Sequence, residues 1–366
     1  HSTFVKRSRT AMAITERVGR SALIETLRSC REPFDVLAAG DGEVLRLRRG
    51  ARVLGLFTAG SEENLLWTHP ALGNVDSAGA LLANAASWNV GGDRTWIAPE
   101  VDVFFPAFPD TSICECPAAL DPGAYQVTDS GLVNRFELRL SRTEATVSLE
   151  LAKTWDAATA PPSGVESLPA DVSHVGYVQT TTLTALACDR DVAIGMWGLL
   201  QVPSGAECLV STRAAADVVS YVGGVTPGEL HSSTRLLRYR PSTPGIHKIG
   251  VHAPVLTGRI GCLHREGDTA MLVVRTFDVD SSGTYIDTAW RTPDDLASPG
   301  CAAQLCAVDT PALGRFIELE HHTPALRIPP TSSSASSTRL ADASHVWACR
   351  GPGQQIRTIA ERLFGE

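Results

Sequence analysis

Residues 135–155, RFELRLSRTEATVSLELAKTW, alternate apolar and polar side chains with a period of two. The apolar positions are Phe136, Leu138, Leu140, Val147, Leu149 and Leu151. Successive side chains of a β-strand point to opposite faces, so this spacing does not suit a helix. The pattern predicts an antiparallel pair of strands with one buried face and one solvent-exposed face.

Further strand-like segments, bounded by Gly, Pro, Ser or Asp, occupy most of the remaining chain. They follow two early strands at 45–47 and 53–56, and they read GYVQTTTLTAL, AIGMWGLLQVP, ECLVSTR, HKIGVHAP, GRIGCLH, AMLVVRTFDVD, GRFIELEHHT and IRTIAERLF. After Arg31 we find no convincing amphipathic helix of more than about ten residues. The sequence has no repeat of fixed period, which argues against a propeller. We therefore predict a mostly β protein, built as a large two-layer antiparallel sandwich.

The N-terminal segment has a helical pattern. Ile14, Val18 and Leu27 share one stripe, with a break expected at Gly19–Arg20 and a second helix cap at Ser21. We predict one or two short helices in a helical extension over residues 1–33, followed by one β domain over 34–366. The segments 160–173 and 329–339 are predicted to be long loops.

Charge and hydropathy exclude two classes of partner. The formal net charge is −8 and the basic residues are scattered, so we expect no nucleic acid partner. No run of eighteen apolar residues occurs, so we expect no membrane span. A cytoplasmic location is favoured, and because His1–Ser2 is typical of a cleaved expression tag, a removed signal peptide stays open as the alternative.

Nine cysteines are spread along the chain without the spacing of a disulfide framework. We expect free, mostly buried thiols in a reducing compartment. Cys114 and Cys116 have one residue between them, and no His or Cys pair at zinc-finger spacing follows either them or the Cys301–Cys306 segment. We therefore expect no structural zinc site.

The stretch WNVGGDRTWIAPE, residues 88–100, combines glycines, a guanidinium and tryptophans. Saccharides are typical ligands of such residues, because their hydroxyl groups accept hydrogen bonds from a guanidinium and their C–H faces stack on indole rings. We take Asp93, Arg94 and Trp96 as candidate substrate-binding residues. The alternative is that Trp96 lies in the core and Asp93 pairs with Arg94. Glu100 is a candidate catalytic carboxylate, or else a strand-entry residue paired with Arg94.

The segment ELEHHTP supplies a second group of titratable residues. A period of two places Glu318, Glu320 and His322 on one side of a strand, opposite Ile317 and Leu319. Glu320 and His322 are candidate catalytic residues for proton transfer, and Glu318 a candidate substrate-binding residue. A divalent cation such as calcium, or a solvated strand face without chemistry, are the alternatives. We otherwise expect no cofactor and assign no metal ligand.

Three segments together resemble the galactose mutarotase (aldose 1-epimerase) superfamily. GGDRTW is similar to its Gly-Gly loop, GRFIELEHHTPAL to its late strand, and CRGPGQQIRTIAERL to its terminal turn and last strand. With MWGLLQVP and HKIG, the pattern is closer to uncharacterised bacterial branches than to true epimerases. The resemblance implies a β-supersandwich with a sugar-sized cleft on a concave sheet. It adds four substrate-binding candidates from these segments, Trp197, His247, Lys248 and Arg350.

The sequence departs from the family at its acid and base positions. The resemblance implies two histidines and one glutamate, and this chain has Val90 before the Gly-Gly pair, no His in IGMWGLLQ, and Gln354 after the Pro-Gly turn. We therefore predict a carbohydrate-active protein, with an enzyme of epimerase, hydrolase or lyase type favoured and a saccharide as its ligand. A non-catalytic sugar-binding module or sensor is the alternative, and the sequence leaves the oligomeric state open.

Overall fold

The computed structural model of the protein describes residues 17–84, 87–289, 299–331 and 338–365. The strands are β1 Phe34–Ala39, β2 Gly42–Leu47, β3 Arg52–Phe57, β4 Asp93–Ala98, β5 Gln126–Val127, β6 Leu132–Arg139, β7 Thr146–Ala157, β8 Ser173–Cys188, β9 Val192–Pro203, β10 Glu207–Thr212, β11 Val218–Val222, β12 Leu230–Ser232, β13 Leu236–Tyr239, β14 Gly245–Val251, β15 Leu256–Glu266, β16 Thr269–Phe277, β17 Ala303–Thr310, β18 Gly314–His322, β19 Leu326–Ile328 and β20 Arg339–Pro352. The helices are α1 Arg20–Ser29, α2 Val75–Ala83, α3 Glu100–Val103 and α4 Gly353–Phe364, with 3-10 turns at Pro70–Gly73 and Ala253–Val255.

Two large antiparallel sheets form the predicted sandwich. The first sheet has the order β1-β2-β3-β4-β9-β18-β17-β14-β11, with β19 on β9, and the second has the order β12-β13-β10-β15-β16-β20-β8-β7-β6-β5. The main apolar core takes residues from both sheets, for example Ile317 and Leu319 from the first and Leu149 and Tyr177 from the second. The predicted mostly β fold is confirmed.

The alternation in residues 135–155 produces the expected hairpin. Strands β6 and β7 pair antiparallel with Phe136 opposite Leu149, and their apolar side chains are buried while the intervening ones are more exposed. One face of the pair is therefore buried, as a period of two requires.

The N-terminal helix differs in detail from the prediction. Helix α1 begins at Arg20 after Gly19, and Ser21 is not its cap, because the backbone N–H and hydroxyl of Ser21 both donate to the Glu62 carboxylate at 2.8 Å. The predicted helical positions before Arg17 lie outside the described residues. None of the helices in the described part of the chain has the length and apolar composition that crossing a bilayer requires.

The C-terminal segment was predicted wrongly as a strand. Residues 353–364 form the twelve-residue helix α4, which is also longer than the limit that we expected after Arg31. Ile356, Ile359, Ala360 and Leu363 are buried at helical spacing against the outer face of the second sheet. The helix ends at Gly365, whose φ of 82° suits the left-handed cap.

The two predicted long loops and the cysteines can also be placed. Residues 158–172 contain no helix or strand, as expected, and part of the other predicted loop, 332–337, lies outside the described residues. All nine cysteines lie in the described residues and are free, and six of them are buried.

Candidate functional site

A group of charged side chains lies on the face of the first sheet that points away from the second sheet. Neighbouring strands β4, β9, β18, β17 and β14 each contribute side chains to this face, and the segments 87–92, 99–125 and 280–289 cover it. We call it the outer cluster, comprising Arg94, Glu100, Trp197, Gln201, Lys248, Glu318, Glu320 and His322. Both faces of β18 are buried because the core covers one and these segments cover the other.

Lys248 is the cation at the centre of the outer cluster. Its Nζ lies 3.1 Å from Glu320 Oε2 and 3.4 Å from Glu100 Oε2, and its side chain is 6% exposed. The ammonium also lies 4.3 Å from the centre of the Trp197 ring, a favourable cation–π distance. One ammonium therefore holds two carboxyl groups close to each other.

Glu320 is fully buried. Trp197 Nε1 donates to its Oε2 at 2.7 Å, while Oε1 has no hydrogen-bond partner in the described part of the chain. Burial, against the opposing effect of Lys248 and with the added repulsion of Glu318 and Glu100, raises the pKa of Glu320 to about 8. The proton therefore stays on this carboxyl group at neutral pH.

Glu100 is the more accessible of the two carboxyl groups. It begins the short helix α3, its backbone N–H donates to Asp287 Oδ1 at 2.7 Å, and its side chain is 23% exposed. Burial raises the pKa of Glu100, and Lys248 opposes that shift. Glu100 thus pairs with Lys248 instead of Arg94, and it starts a helix instead of a strand.

Arg94 and Glu318 form the second ion pair of the cluster. Arg94 Nη2 lies 2.8 Å from Glu318 Oε1, which also accepts from Gln201 Nε2 at 3.1 Å. The guanidinium lies 4.2 Å from the ring centre of Trp96 and 5.3 Å from that of the partly exposed Trp88. This arrangement holds Arg94 rigidly under the surface.

His322 lies in the cluster as an uncharged imidazole. It is 2% exposed and stacks on Trp197 with ring centres 5.5 Å apart. Its Nε2 is 3.9 Å from Asp287 Oδ2, and neither ring nitrogen has a hydrogen-bond partner among the described residues. Burial lowers the pKa of His322 to about 3, so the ring can accept or donate a hydrogen bond without carrying charge.

Three other candidates lie in different surroundings. Asp93 is fully buried on the opposite face of β4, where it binds Arg275 of the second sheet. His247 contacts the backbone oxygens of Gly224 and Pro244 at 3.0 and 3.2 Å. Arg350 is on β20 of the second sheet and pairs with Glu63 at 2.9 Å. Trp96, by contrast, is buried next to the outer cluster, where its ring contacts Arg94 and Trp197 and its Nε1 donates to Asp121 Oδ2 at 2.8 Å.

Sequence reasoning did not select three polar residues that hold the cluster together. Gln201 links Glu318 to Asn89, and Gln304 Nε2 donates to Asp287 Oδ2 at 2.7 Å. The alternation in GLLQVP and AAQLCAV could have placed Gln201 and Gln304 on the same faces as Trp197 and Cys306. Asn89 comes from a loop, for which no such signal exists.

The residues do not fit a metal ion well. Ligand atoms of Cys306, Glu318 and Glu320 lie within 4.8 Å of one another and all three are buried. However, Arg94 already pairs with Glu318, Glu320 keeps its proton at neutral pH, and burial raises the pKa of the Cys306 thiol well above its usual value. A thiol that keeps its proton is a poor ligand, so we assign no metal here.

Arg94→Lys is expected to lower the free energy of unfolding by about 1–3 kcal/mol, because an ammonium cannot both stack between the two indoles and reach Glu318. Arg135→Lys is the matched control, since Arg135 pairs with Glu150 at 2.7 Å but is 70% exposed, and its loss should be below about 0.5 kcal/mol. Urea denaturation of both variants measures the difference, and equal midpoints would contradict a buried structural role for Arg94.

Comparison with solved structures finds similar chains at low sequence identity. A protein from Escherichia coli K12, provisionally assigned as an aldose 1-epimerase, is 12% identical with a TM-score of 0.47 and covers 86% of this chain and 98% of its own. A galactose mutarotase-like protein from Lactobacillus casei is 8% identical with a TM-score of 0.43, covering 86% and 100%. A galactose mutarotase related enzyme from Lactobacillus acidophilus is 8% identical with a TM-score of 0.42, covering 86% and 97%. No protein-family model and no curated protein sequence matches the chain.

Proposed function

We propose that this protein binds a saccharide over the outer cluster and acts on it by acid–base chemistry. The observation that carries the proposal is the pair formed by Glu320, whose pKa of about 8 keeps it protonated, and the accessible Glu100, both in contact with the ammonium of Lys248. A fully buried carboxyl group beside a more accessible one offers the two positions that an acid and a base need for proton transfer on a sugar.

In this proposal the groups have separate roles. Glu320 is the general acid for a ring or leaving-group oxygen, and Glu100 is the base for a hydroxyl group or a water molecule. Lys248 contacts both carboxyl groups and stabilises negative charge that develops on oxygen. The neutral His322 offers a hydrogen-bond donor and acceptor to a hydroxyl group.

Trp88 and Arg94 are proposed to position the sugar. Trp88 is partly exposed above Arg94, so its indole can pack on the C–H face of a pyranose. Arg94 Nε and Nη1 have no hydrogen-bond partner among the described residues, which leaves donors for hydroxyl or carboxylate oxygens. A carboxylate-bearing saccharide such as a uronate would use these donors well.

A sugar-binding module is the second candidate function. It is supported by two positions at which the superfamily resemblance implies an acid or a base. One of them carries Val90, which is fully buried. The other carries Gln354, which is exposed on α4. A protein of this kind would bind sugars over the outer cluster without converting them.

Trp88→Ala is expected to weaken saccharide binding by about tenfold, because it removes the stacking surface while the ion pairs beneath stay in place. A panel of neutral pyranosides, uronates and oligosaccharides is tested by saturation-transfer NMR and calorimetry. Leu186→Ala is the matched control, since Leu186 is 48% exposed on the second sheet and should leave binding unchanged.

Three turnover measurements on the sugars that bind separate the two functions. They are anomeric exchange, release of reducing ends and the absorbance of unsaturated products. Binding together with any of these activities supports the enzyme, and binding with all three silent supports the module. If no sugar in the panel binds, or if Trp88→Ala binds as well as the parent protein, the saccharide proposal is wrong.

A further inference from the structure

Asp287 is a buried carboxylate beside the outer cluster, and the proposed function gives it no role. Its side chain is 1% exposed. Oδ1 accepts the backbone N–H of Glu100 at 2.7 Å, and Oδ2 accepts Gln304 Nε2 at the same distance of 2.7 Å. The backbone oxygen of Asp287 accepts Tyr221 OH at 2.7 Å. Asp287 therefore links the segment 280–289 to α3, β17 and β11.

The bond from the Glu100 backbone N–H fixes the start of α3. Glu100 is the first residue of this helix, and Pro99 before it provides no side-chain cap. A helix leaves its first backbone N–H groups without partners inside the helix, and a carboxylate stabilises them. Asp287 supplies that carboxylate from another segment. The start of α3 is thereby held where Glu100 Oε2 contacts Lys248 Nζ at 3.4 Å.

The second oxygen of Asp287 acts on His322. Oδ2 lies 3.9 Å from His322 Nε2, and the ring is uncharged because burial lowers the pKa of His322 to about 3. A neutral imidazole carries one proton, on either Nδ1 or Nε2. A lone pair on Nε2 would face the negative oxygen and be repelled, whereas an Nε2–H bond would be attracted to it. The carboxylate therefore favours the tautomer with the proton on Nε2.

We propose that Asp287 is a positioning residue for the outer cluster, which holds Glu100 through its backbone and sets the His322 tautomer with the proton on Nε2. This narrows the role of His322 to that of an acceptor. Nε2–H is directed to Asp287, and Nδ1, which has no hydrogen-bond partner among the described residues, remains for a ligand hydroxyl group. Only the part that concerns this hydroxyl group rests on the proposed function.

Asp287→Asn separates the two effects. The backbone N–H of Glu100 cannot turn away, while Gln304 can rotate its amide and present Oε1, which has no hydrogen-bond partner in the described part of the chain. The asparagine oxygen therefore stays on Glu100, and its NH₂ group faces Gln304 and His322. A donor beside Nε2 favours a lone pair there, so the His322 proton should move to Nδ1. Asp287→Ala removes both effects.

Nitrogen-15 NMR of the whole protein, labelled at histidine and without a saccharide, identifies the ring nitrogen of His322 that carries the proton. The signals are assigned by their loss in His322→Gln. We expect Nε2–H in the parent protein and Nδ1–H in Asp287→Asn. Asp342→Asn is the matched control, because Asp342 lies 2.9 Å from His321 Nε2 and should change the His321 signals while the His322 tautomer stays the same.

Amide hydrogen exchange at Glu100 tests the anchoring of α3. Exchange should be unchanged in Asp287→Asn and about tenfold faster in Asp287→Ala, because only alanine leaves this N–H without its acceptor. Equal exchange in the parent protein and in Asp287→Ala would overturn the anchoring of Glu100.

The tautomer assignment is overturned by Nδ1–H in the parent protein, a measurement that decides even where a variant does not fold, or by the same tautomer in Asp287→Asn. For a saccharide that binds the parent protein, Asp287→Asn should weaken binding by about tenfold, because Nδ1 no longer accepts from a hydroxyl group. Undiminished binding with a reversed tautomer would overturn the role of His322 Nδ1. The NMR and exchange results need no saccharide, so their failure is distinct from failure of the proposed function.

Discussion

Arg275→Met is expected to lower the free energy of unfolding by about 3–5 kcal/mol, the largest stability effect that we expect from a single substitution. Arg275 on β16 and Asp93 on β4 form an ion pair between the two sheets, and both side chains are fully buried. Removing the guanidinium would leave the Asp93 carboxylate in the core without its ion-pair partner. Burying an unpaired charge is costly because no water replaces the lost partner.

The neighbours of this pair make compensation difficult. Tyr177 OH already donates to Asp93 Oδ2 at 2.5 Å, and Arg275 Nη1 also contacts the backbone oxygen of Leu319 at 3.3 Å and His321 Nδ1 at 3.4 Å. His321 in turn lies 2.9 Å from Asp342. The network therefore joins β4 and β18 of the first sheet to β8, β16 and β20 of the second.

The double variant Asp93→Asn with Arg275→Met is the informative control. Asparagine still accepts from Tyr177, and no carboxylate at position 93 is left without Arg275, so much of the lost stability should return. Urea denaturation of the parent, both single variants and the double variant gives the coupling energy. A loss below about 1 kcal/mol in Arg275→Met, or no recovery in the double variant, would contradict this account of the network.

Glu320→Gln is expected to lower kcat by about 10²–10⁴-fold in the saccharide reaction that the turnover screen identifies. The amide keeps the size of the side chain and can still accept from Trp197, but it cannot deliver a proton. Glu137→Gln is the matched control, since Glu137 is exposed on β6 and should leave kcat unchanged. A folded Glu320→Gln variant with undiminished kcat would remove Glu320 from the mechanism.

The pH dependence provides a second test of Glu320. Activity that needs the protonated carboxyl group should fall as pH rises above about 8, the pKa to which burial raises this group. The folded protein holds this proton more tightly than the unfolded chain does. Its contribution to stability is therefore complete below the ordinary pKa of 4.5 and is lost as pH rises through about 8.

Glu320→Gln should remove that part of the pH dependence of stability, even where no activity is measured. Denaturation at several pH values between about 4 and 9 compares this slope in the parent and variant proteins. If both lose stability equally over this range, the pKa of Glu320 is not raised and the assignment of the general acid fails.

The sequence alone determined the class of the fold and the faces of individual strands. Burial of one side of a strand is a local property with a period of two, so the alternation in residues 135–155 predicted the hairpin and the segment ELEHHTP predicted that Glu318, Glu320 and His322 share a face. The same reasoning wrongly predicted a strand at residues 353–364. Ile356 and Leu363 also have the spacing of a helix, and the segment is helical because this spacing lets both side chains pack against the second sheet.

Tertiary structure decided which of these faces meet. Glu100 and Lys248 are 148 residues apart, and they come together because β14, β17, β18, β9 and β4 lie side by side in that order. Asp93 and Arg94, adjacent on β4, point to opposite faces of the sheet, and tertiary structure gives them different partners, Arg275 and Glu318. Local periodicity fixes the direction of a side chain, but its partner depends on strand pairing between distant segments, which no local pattern encodes.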